Sequence, residues 1–106
     1  MGIDETLETL RAFVAERDWQ QFHTSENLAK SVSIEAAELL ECFQWQATPE
    51  REEVAKELAD VLTYCLLLAD KLGLDPLEII ESKLAETKAK YPVDKARGSS
   101  TKYDRL

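Results

Sequence analysis

Two pairs of carboxylates, each with two residues between its members, are the side chains of this sequence best suited to chemistry. Glu35 and Glu38 form the first pair, and Glu57 and Asp60 form the second; we call the four the acidic cluster. On a helix this spacing places the members of a pair about 60° apart on one side. The apolar stripe of each helix borders its pair, so we expect both pairs to face inward or nearly so.

Carboxylates that face one another need a counter-charge. Two like charges about 4 Å apart repel by roughly 4 kcal/mol at an effective dielectric constant of about 20. Lys30 and Lys56 are the basic residues nearest in sequence, and helical spacing points both away from the acids. Mg²⁺ is held in proteins by a few carboxylates together with water and substrate phosphates. The sequence therefore predicts a magnesium site at the acidic cluster, with Mn²⁺ as a substitute.

Two other interpretations of the acidic cluster stay open. The first is a non-enzymatic helical oligomerisation or regulatory module whose acids are solvated, because Glu is common in helices. The second is a di-iron carboxylate bundle. That site uses Glu-x-x-His pairs from two helices, and the only histidine, His23, is not so placed.

Length and composition indicate the fold class. At 106 residues, with three Gly, three Pro and no alternating apolar run, residues 1–106 are predicted to form one all-α domain, an oligomeric four-helix bundle. The longest apolar stretch, 61–69, is too short to span a membrane, and residues 1–5 are acidic where a signal peptide is basic. We expect a soluble, cytoplasmic protein in which Cys42 and Cys65 are reduced core residues.

The net charge of −8 argues against a nucleic-acid duplex as partner. Residues 88–106 have six basic groups against two acidic ones, so this part carries +4 and the remainder −12. Such asymmetry suits a metal-binding body with a basic tail that meets phosphate, although a solvated tail has the same composition.

Hydrophobic periodicity and capping residues set the expected helices. They should cover about residues 4–17, 26–46, 49–72 and 76–91, with 92–106 irregular. Expected N-caps are Thr24 or Ser25, Thr48 before Pro49, and Asp75 before Pro76. The third helix is apolar on nearly every side from 61 to 69. Three other helices of this size cannot cover that much apolar surface. We therefore expect a homo-oligomer, either a dimer or a tetramer built as a dimer of dimers.

The order of several segments makes this sequence similar to a known family. Glu35-x-x-Glu38, eighteen intervening residues and Glu57-x-x-Asp60 resemble the signature of the MazG-like, all-α nucleoside triphosphate pyrophosphohydrolases. Within that superfamily, four further segments resemble the dCTP pyrophosphatase branch: FVAERDWQQFH at 13–23, FQW at 43–45, KYP at 90–92 and KY at 102–103.

The resemblance implies that water cleaves a nucleoside triphosphate between its α and β phosphates, giving the monophosphate and pyrophosphate, with dCTP or a modified dCTP as substrate. It also implies that the acidic cluster holds Mg²⁺. A triphosphate carries close to four negative charges, so cations must neutralise its oxygens before a nucleophile approaches. Glu38, which lies farther from the apolar stripe than Glu35, is our candidate for the base, and Glu35 is the second candidate catalytic residue.

Aromatic residues are the candidates for binding the nucleobase. Trp45 follows the first acidic pair, and Tyr64 lies one turn after Asp60. Flat rings beside a base contribute about 1 to 3 kcal/mol of stacking per base. In the resembled branch, positions matching Trp19, Trp45 and Tyr64 line the nucleotide pocket, and His23 belongs to the matched segment. Core or subunit contacts are the alternative role for both tryptophans.

Basic residues near the carboxyl end are the candidates for binding the phosphates. Lys83 and Lys90 fall seven residues apart on one helix and share a face, while Arg97 and Lys102 follow in the tail. Two positions depart from the resembled pattern, which often has Asn where this chain has Thr87 and in some relatives His where it has Leu10. Thr87 has a hydroxyl but no amide, so a contact made by that Asn is not expected here. The Leu10 departure weakens the expectation of a strict dCTP preference.

Overall fold

The structure, a computed structural model, describes residues 2–106 and is helical as the sequence predicts. The helices are α1 (Ile3–Glu16), α2 (Ser25–Glu41), α3 (Arg51–Lys71), α4 (Pro76–Lys90) and α5 (Val93–Ala96), followed by a 3₁₀ turn at Tyr103–Arg105. No strand is present in these residues, which confirms the all-α class. No helix among residues 2–106 combines the length and the apolar character that crossing a membrane requires.

The chain divides into two compact units, with the boundary in sequence between Leu74 and Asp75. In the first unit α2 packs along α3, and α1 also contacts α3. Its core is small: the buried apolar residues of the described chain are Leu7, Val14, Leu28 and Ala69. The second unit contains α4, α5 and the 3₁₀ turn. One domain over residues 1–106 stays a prediction.

Local signals placed most helix ends within two residues. The hydroxyl oxygen of Thr24 accepts from the N–H of Asn27 at the start of α2, and the carboxylate of Asp75 accepts from two N–H groups at the start of α4. Gly73 follows α3 with φ 69°, a conformation that favours glycine. These two N-cap predictions and the expected stop of α3 are confirmed.

Three local predictions were wrong. Helix α2 ends at Glu41 rather than Gln46, because residues 42–44 bond to carbonyls three positions back and form successive turns. Helix α3 is capped by the extended backbone of Glu50 rather than by Thr48, since Pro49 continues the connection. The tail, expected to be irregular, contains α5 and the 3₁₀ turn.

The cysteines differ from their predicted burial. Cys42 is half-buried, but Cys65 is exposed, so its assignment to the core of this chain was wrong. Between residues 61 and 69, α3 is apolar on nearly every side, whereas α1 and α2 cover only part of that surface. Leu58 and Leu62 on the same helix are also exposed, at 43% and 55%.

Candidate metal centre and adjoining cavity

The packing of α2 against α3 brings the acidic cluster together. Each of Glu35, Glu38, Glu57 and Asp60 offers a carboxylate oxygen, and these four oxygens lie within 4.8 Å of one another. Glu35 and Glu57 are half-buried, whereas Glu38 and Asp60 are exposed. Two residues therefore anchor the cluster in the helix interface, and two border solvent.

The cluster has no compensating charge within residues 2–106. None of its four acids forms an ion pair with a Lys or Arg of the described chain. The Oε2 atoms of Glu35 and Glu57 are buried and lack hydrogen-bond partners. The pKa of Glu35 is raised to about 7, first by a hydrogen bond shared with Glu38, then by burial and by repulsion from the other three acids.

This donor set fits a hard divalent cation. Mg²⁺ and related ions take oxygen ligands, and the cluster supplies only carboxylate oxygens. The two buried oxygens without partners are unfavourable in a protein interior unless a cation or proton satisfies them. The four residues would thus be the ligands, and the helix packing already holds them close together.

A cavity of about 300 Å³ adjoins the cluster at Asp60. Trp19, His23 and Tyr64 line it, so three of the four predicted base-binding residues lie together beside an acidic residue. The rings of Trp19 and His23 lie 6.4 Å apart, centroid to centroid. Trp45 does not line this cavity; it lies on the turns after α2 and is 88% exposed.

Other residues that line the cavity were not among the predicted base-binding residues. Phe13 lines the cavity and contacts Trp19 edge to face, with ring centroids 5.5 Å apart. Thr63 also lines the cavity, and its hydroxyl donates to the carbonyl of Ala59 over 2.8 Å. Leu10 presents an apolar side chain at the same wall. Phe13 lies in the 13–23 segment that resembles the dCTP pyrophosphatase branch, and Leu10 stands where some relatives have His, so the family resemblance was the available signal for both.

A second cavity, of about 340 Å³, shares His23 with the first. Its rim includes an ion pair that the sequence did not predict, in which Nη2 of Arg11 lies 2.6 Å from Oδ1 of Asp70. Nε of Arg11 donates to both oxygens of the same carboxylate, over 3.0 and 3.1 Å. The two residues are 59 positions apart, so no local pattern connects them.

The predicted phosphate-binding residues all belong to the second unit. Lys83 and Lys90 lie on one face of α4, each 3.3 Å from Oε1 of Glu86. Arg97 and Lys102 are exposed. The hydroxyl of Thr87 donates to the carbonyl of Lys83 over 3.0 Å, so its proton is engaged within the helix.

Comparison with known proteins identifies the family. The model of the MazG-like family matches residues 30–106, which include the whole acidic cluster. This chain belongs to the MazG-like family. The resemblance found in the sequence is thereby confirmed, and the helical structure agrees with it.

Individual relatives are similar to most of this MazG-like chain. The proteins called dCTP pyrophosphatase 1 from Mus musculus and Homo sapiens are 40% and 39% identical, each over 97% of this chain and 69% of their own length. The crystal structure of a pyrophosphatase from Archaeoglobus fulgidus has a TM-score of 0.80 and 41% identity, covering 85% of this chain and 92% of that one.

Proposed function

We propose that this protein is a Mg²⁺-dependent pyrophosphohydrolase that cleaves dCTP, or dCTP with a modified base, into the monophosphate and pyrophosphate. The convergence of four carboxylates beside an aromatic cavity is the observation that carries this proposal. Relatives called dCTP pyrophosphatase 1, at about 40% identity, support the choice of dCTP.

The acidic cluster would hold the metal, with Glu35 and Glu57 as its half-buried anchors. Bound Mg²⁺ supplies neutralisation of phosphate oxygens and acidification of a water. Glu38 borders solvent and is the candidate base, with Glu35 the second catalytic candidate. Glu38 would take a proton from the water whose oxygen bonds to the α-phosphorus. The bond between that phosphorus and the bridging oxygen then breaks, and pyrophosphate leaves with the electron pair.

The base would occupy the aromatic cavity. Trp19 and Tyr64 offer flat faces, and contact with Phe13 limits the movement of Trp19. His23 could donate or accept a hydrogen bond at the cavity wall. Trp45 lies outside the cavity of its own chain, so its predicted stacking role requires another copy or a movement of its turn.

The phosphate chain would meet basic residues, with Lys83 and Lys90 the first candidates because they share a face of α4. Arg97 and Lys102 remain candidates on composition alone. A chain with two free thiols and a nucleotide substrate suits the cytoplasm.

A homo-oligomer, dimer or tetramer, is part of the proposal because α3 exposes apolar side chains such as Leu58 and Leu62. Light scattering after size exclusion measures the mass directly. A Leu62→Glu variant should shift the mass toward the monomer, with Lys56→Glu, an exposed polar position on the same helix, as control. A monomeric wild-type protein at micromolar concentration would contradict the oligomer.

Product analysis tests the reaction. The protein is incubated with each of the canonical triphosphates and with 5-substituted dCTP in the presence of Mg²⁺, Mn²⁺ or EDTA, and products are separated. We expect monophosphate and pyrophosphate, fastest from dCTP or its derivatives, and none in EDTA. Orthophosphate as the released product would refute the reaction type. Full activity of Glu38→Gln would refute the site, and no cleavage of any triphosphate would favour the non-enzymatic module.

A further inference from the structure

The end of the chain is fastened to α4 by two tyrosines. The backbone N–H of Tyr103 donates to the hydroxyl oxygen of Tyr91 over 3.1 Å. Their rings meet edge to face, with centroids 6.0 Å apart and planes at 78°, an arrangement that aromatic pairs prefer. We call Tyr91 and Tyr103 the tyrosine clasp. Since it joins the first residue after α4 to the last turn, it closes a loop that carries α5.

The tyrosine clasp places an aromatic face beside Lys90. Nζ of Lys90 lies 4.7 Å from the centroid of the Tyr103 ring, within the range of a cation–π contact. The same ammonium lies 3.3 Å from Oε1 of Glu86, so it is held from two sides. Lys83 contacts the Glu86 carboxylate but no aromatic ring of the described chain, and its side chain is 66% exposed, compared with 37% for Lys90.

Glu86 is a stable partner in this arrangement. Hydrogen bonds from Lys83 and Lys90 lower the pKa of its carboxyl, so the group stays ionised near neutral pH. Because one carboxylate oxygen serves two ammonium groups, the three side chains together carry a net positive charge. Ammonium groups grouped in this way retain attraction for an anion.

We propose that Tyr103 is a positioning residue, which holds the Lys90 ammonium in place on α4 for an oxygen of the substrate's phosphate chain. This inference rests on the proposed function, which gives Lys90 a role at the phosphates. A lysine loses considerable rotamer freedom when it binds an anion. A side chain that is already held has lost part of that freedom, so it binds the anion more tightly.

Removing the ring tests the positioning role. Tyr103→Ala should raise KM for dCTP by about two- to fivefold, the effect of losing a cation–π contact at an exposed site, and leave kcat within about twofold. Tyr103→Phe keeps the ring and the backbone N–H, so it should restore the wild-type KM. A fall in kcat with unchanged KM would contradict the proposal, as would equal effects of the two variants.

A double-mutant cycle separates action through Lys90 from a general loss of structure. Lys90→Ala should raise KM by about tenfold or more, as the loss of a charge-assisted contact does. Adding Tyr103→Ala to it should have no further effect. Lys88→Ala removes an equal charge from the same helix and is the matched control. Additive effects of Tyr103→Ala and Lys90→Ala would overturn the proposal.

A binding measurement distinguishes failure of this inference from failure of the proposed function. Calorimetry with inorganic tripolyphosphate and Mg²⁺ needs no turnover, and Tyr103→Ala should weaken binding by about two- to fivefold. If the wild-type protein cleaves no triphosphate, the proposed function fails. The ratio of tripolyphosphate affinities between wild type and Tyr103→Ala still tests the role of Tyr103. Unaltered tripolyphosphate affinity in Tyr103→Ala, or none in the wild type, would overturn the positioning role.

Discussion

The acidic cluster and the Arg11–Asp70 ion pair are two carboxylate sites of the same three helices with opposite surroundings. The carboxylate of Asp70 accepts hydrogen bonds from two nitrogens of Arg11, and these hydrogen bonds are the chief reason that its pKa is lowered. Glu35 has no basic partner in the described residues, and its pKa is raised to about 7 by a hydrogen bond with Glu38, by burial and by the neighbouring acids. One site contains its own counter-ion, whereas the other requires one from outside the chain.

The difference shows how a structural charge can be separated from a functional one. An ion pair whose partners both come from the chain stabilises the fold by itself, if modestly. Like charges brought together without a partner oppose folding, so a fold that keeps them has a use for them. The acidic cluster should therefore govern activity and metal response, and the Arg11–Asp70 pair should affect stability alone.

The largest expected effect follows from neutralising one cluster anchor. Glu57→Gln keeps the side-chain shape and removes a metal ligand, so kcat should fall by about a thousandfold, because metal assistance contributes several kcal/mol. Without Mg²⁺ the same variant should melt no lower than the wild type, since repulsion is relieved. Pyrophosphate release and thermal melts in EDTA provide the two measurements.

Glu52→Gln, an exposed acid in the first turn of α3, is the matched control for Glu57→Gln and should keep wild-type turnover. If Glu57→Gln retained more than about a tenth of the activity, its assigned contribution to the barrier would be too large.

The next effect is stabilisation by Mg²⁺ of the wild-type protein. At a free concentration about 100 times Kd, binding to the folded state alone adds about 2.7 kcal/mol to the free energy of unfolding. A Glu35→Gln/Glu57→Gln variant should show no rise in melting temperature with Mg²⁺, whereas Asp70→Asn should show the full rise. An equal response of all three proteins would place the metal elsewhere.

The pH dependence of stability should have opposite signs at the two sites. Without metal, the contribution of protonated Glu35 is complete below its ordinary pKa of 4.5 and is lost as pH rises through its folded value of about 7. The contribution of Asp70 is present above its ordinary pKa and is lost as pH falls, because folding lowers that pKa. Melting temperatures in EDTA should thus decrease from about pH 5 to about pH 8.

Two comparisons check the origin of that decrease. In Glu35→Gln it should be smaller, because the titrating carboxyl is absent. Mg²⁺ should reverse the trend in the wild type, since deprotonated carboxylates bind the ion more tightly. A decrease of the same size in wild type and Glu35→Gln would show that other groups cause it.

Features set by near neighbours in sequence could be predicted, and the acidic cluster is among them. Glu35 and Glu57 border apolar stripes of adjacent helices, so periodicity alone points their side chains toward the shared interface. Thr24 and Asp75 cap their helices because a cap depends on groups two or three residues away. The family resemblance then supplied the chemistry that the carboxylates alone left open.

Features set by distant partners could not be predicted. Nothing in the sequence indicates that Arg11 and Asp70 form a pair, because charged residues at helix surfaces are common and the two lie 59 positions apart. Exposure of Cys65 depends on which sides of α3 the other helices cover, and an apolar helix does not reveal that. Hydrophobic periodicity predicted too late an end for α2, because residues 42–44 form turns instead of continuing the helix.

The smallest expected effect concerns the ion pair. Asp70→Asn removes the charge that Arg11 contacts and should lower the melting temperature by a few degrees at most. The side chains of the pair are 53% and 30% exposed, and exposed pairs contribute little. The difference from wild type should shrink in high salt, because ions screen such a pair.

Turnover of dCTP by Asp70→Asn should stay within about twofold of wild type, since the charge of Asp70 lies outside the acidic cluster and the aromatic cavity. A loss of turnover comparable to that in Glu57→Gln would show that both carboxylate sites serve the reaction.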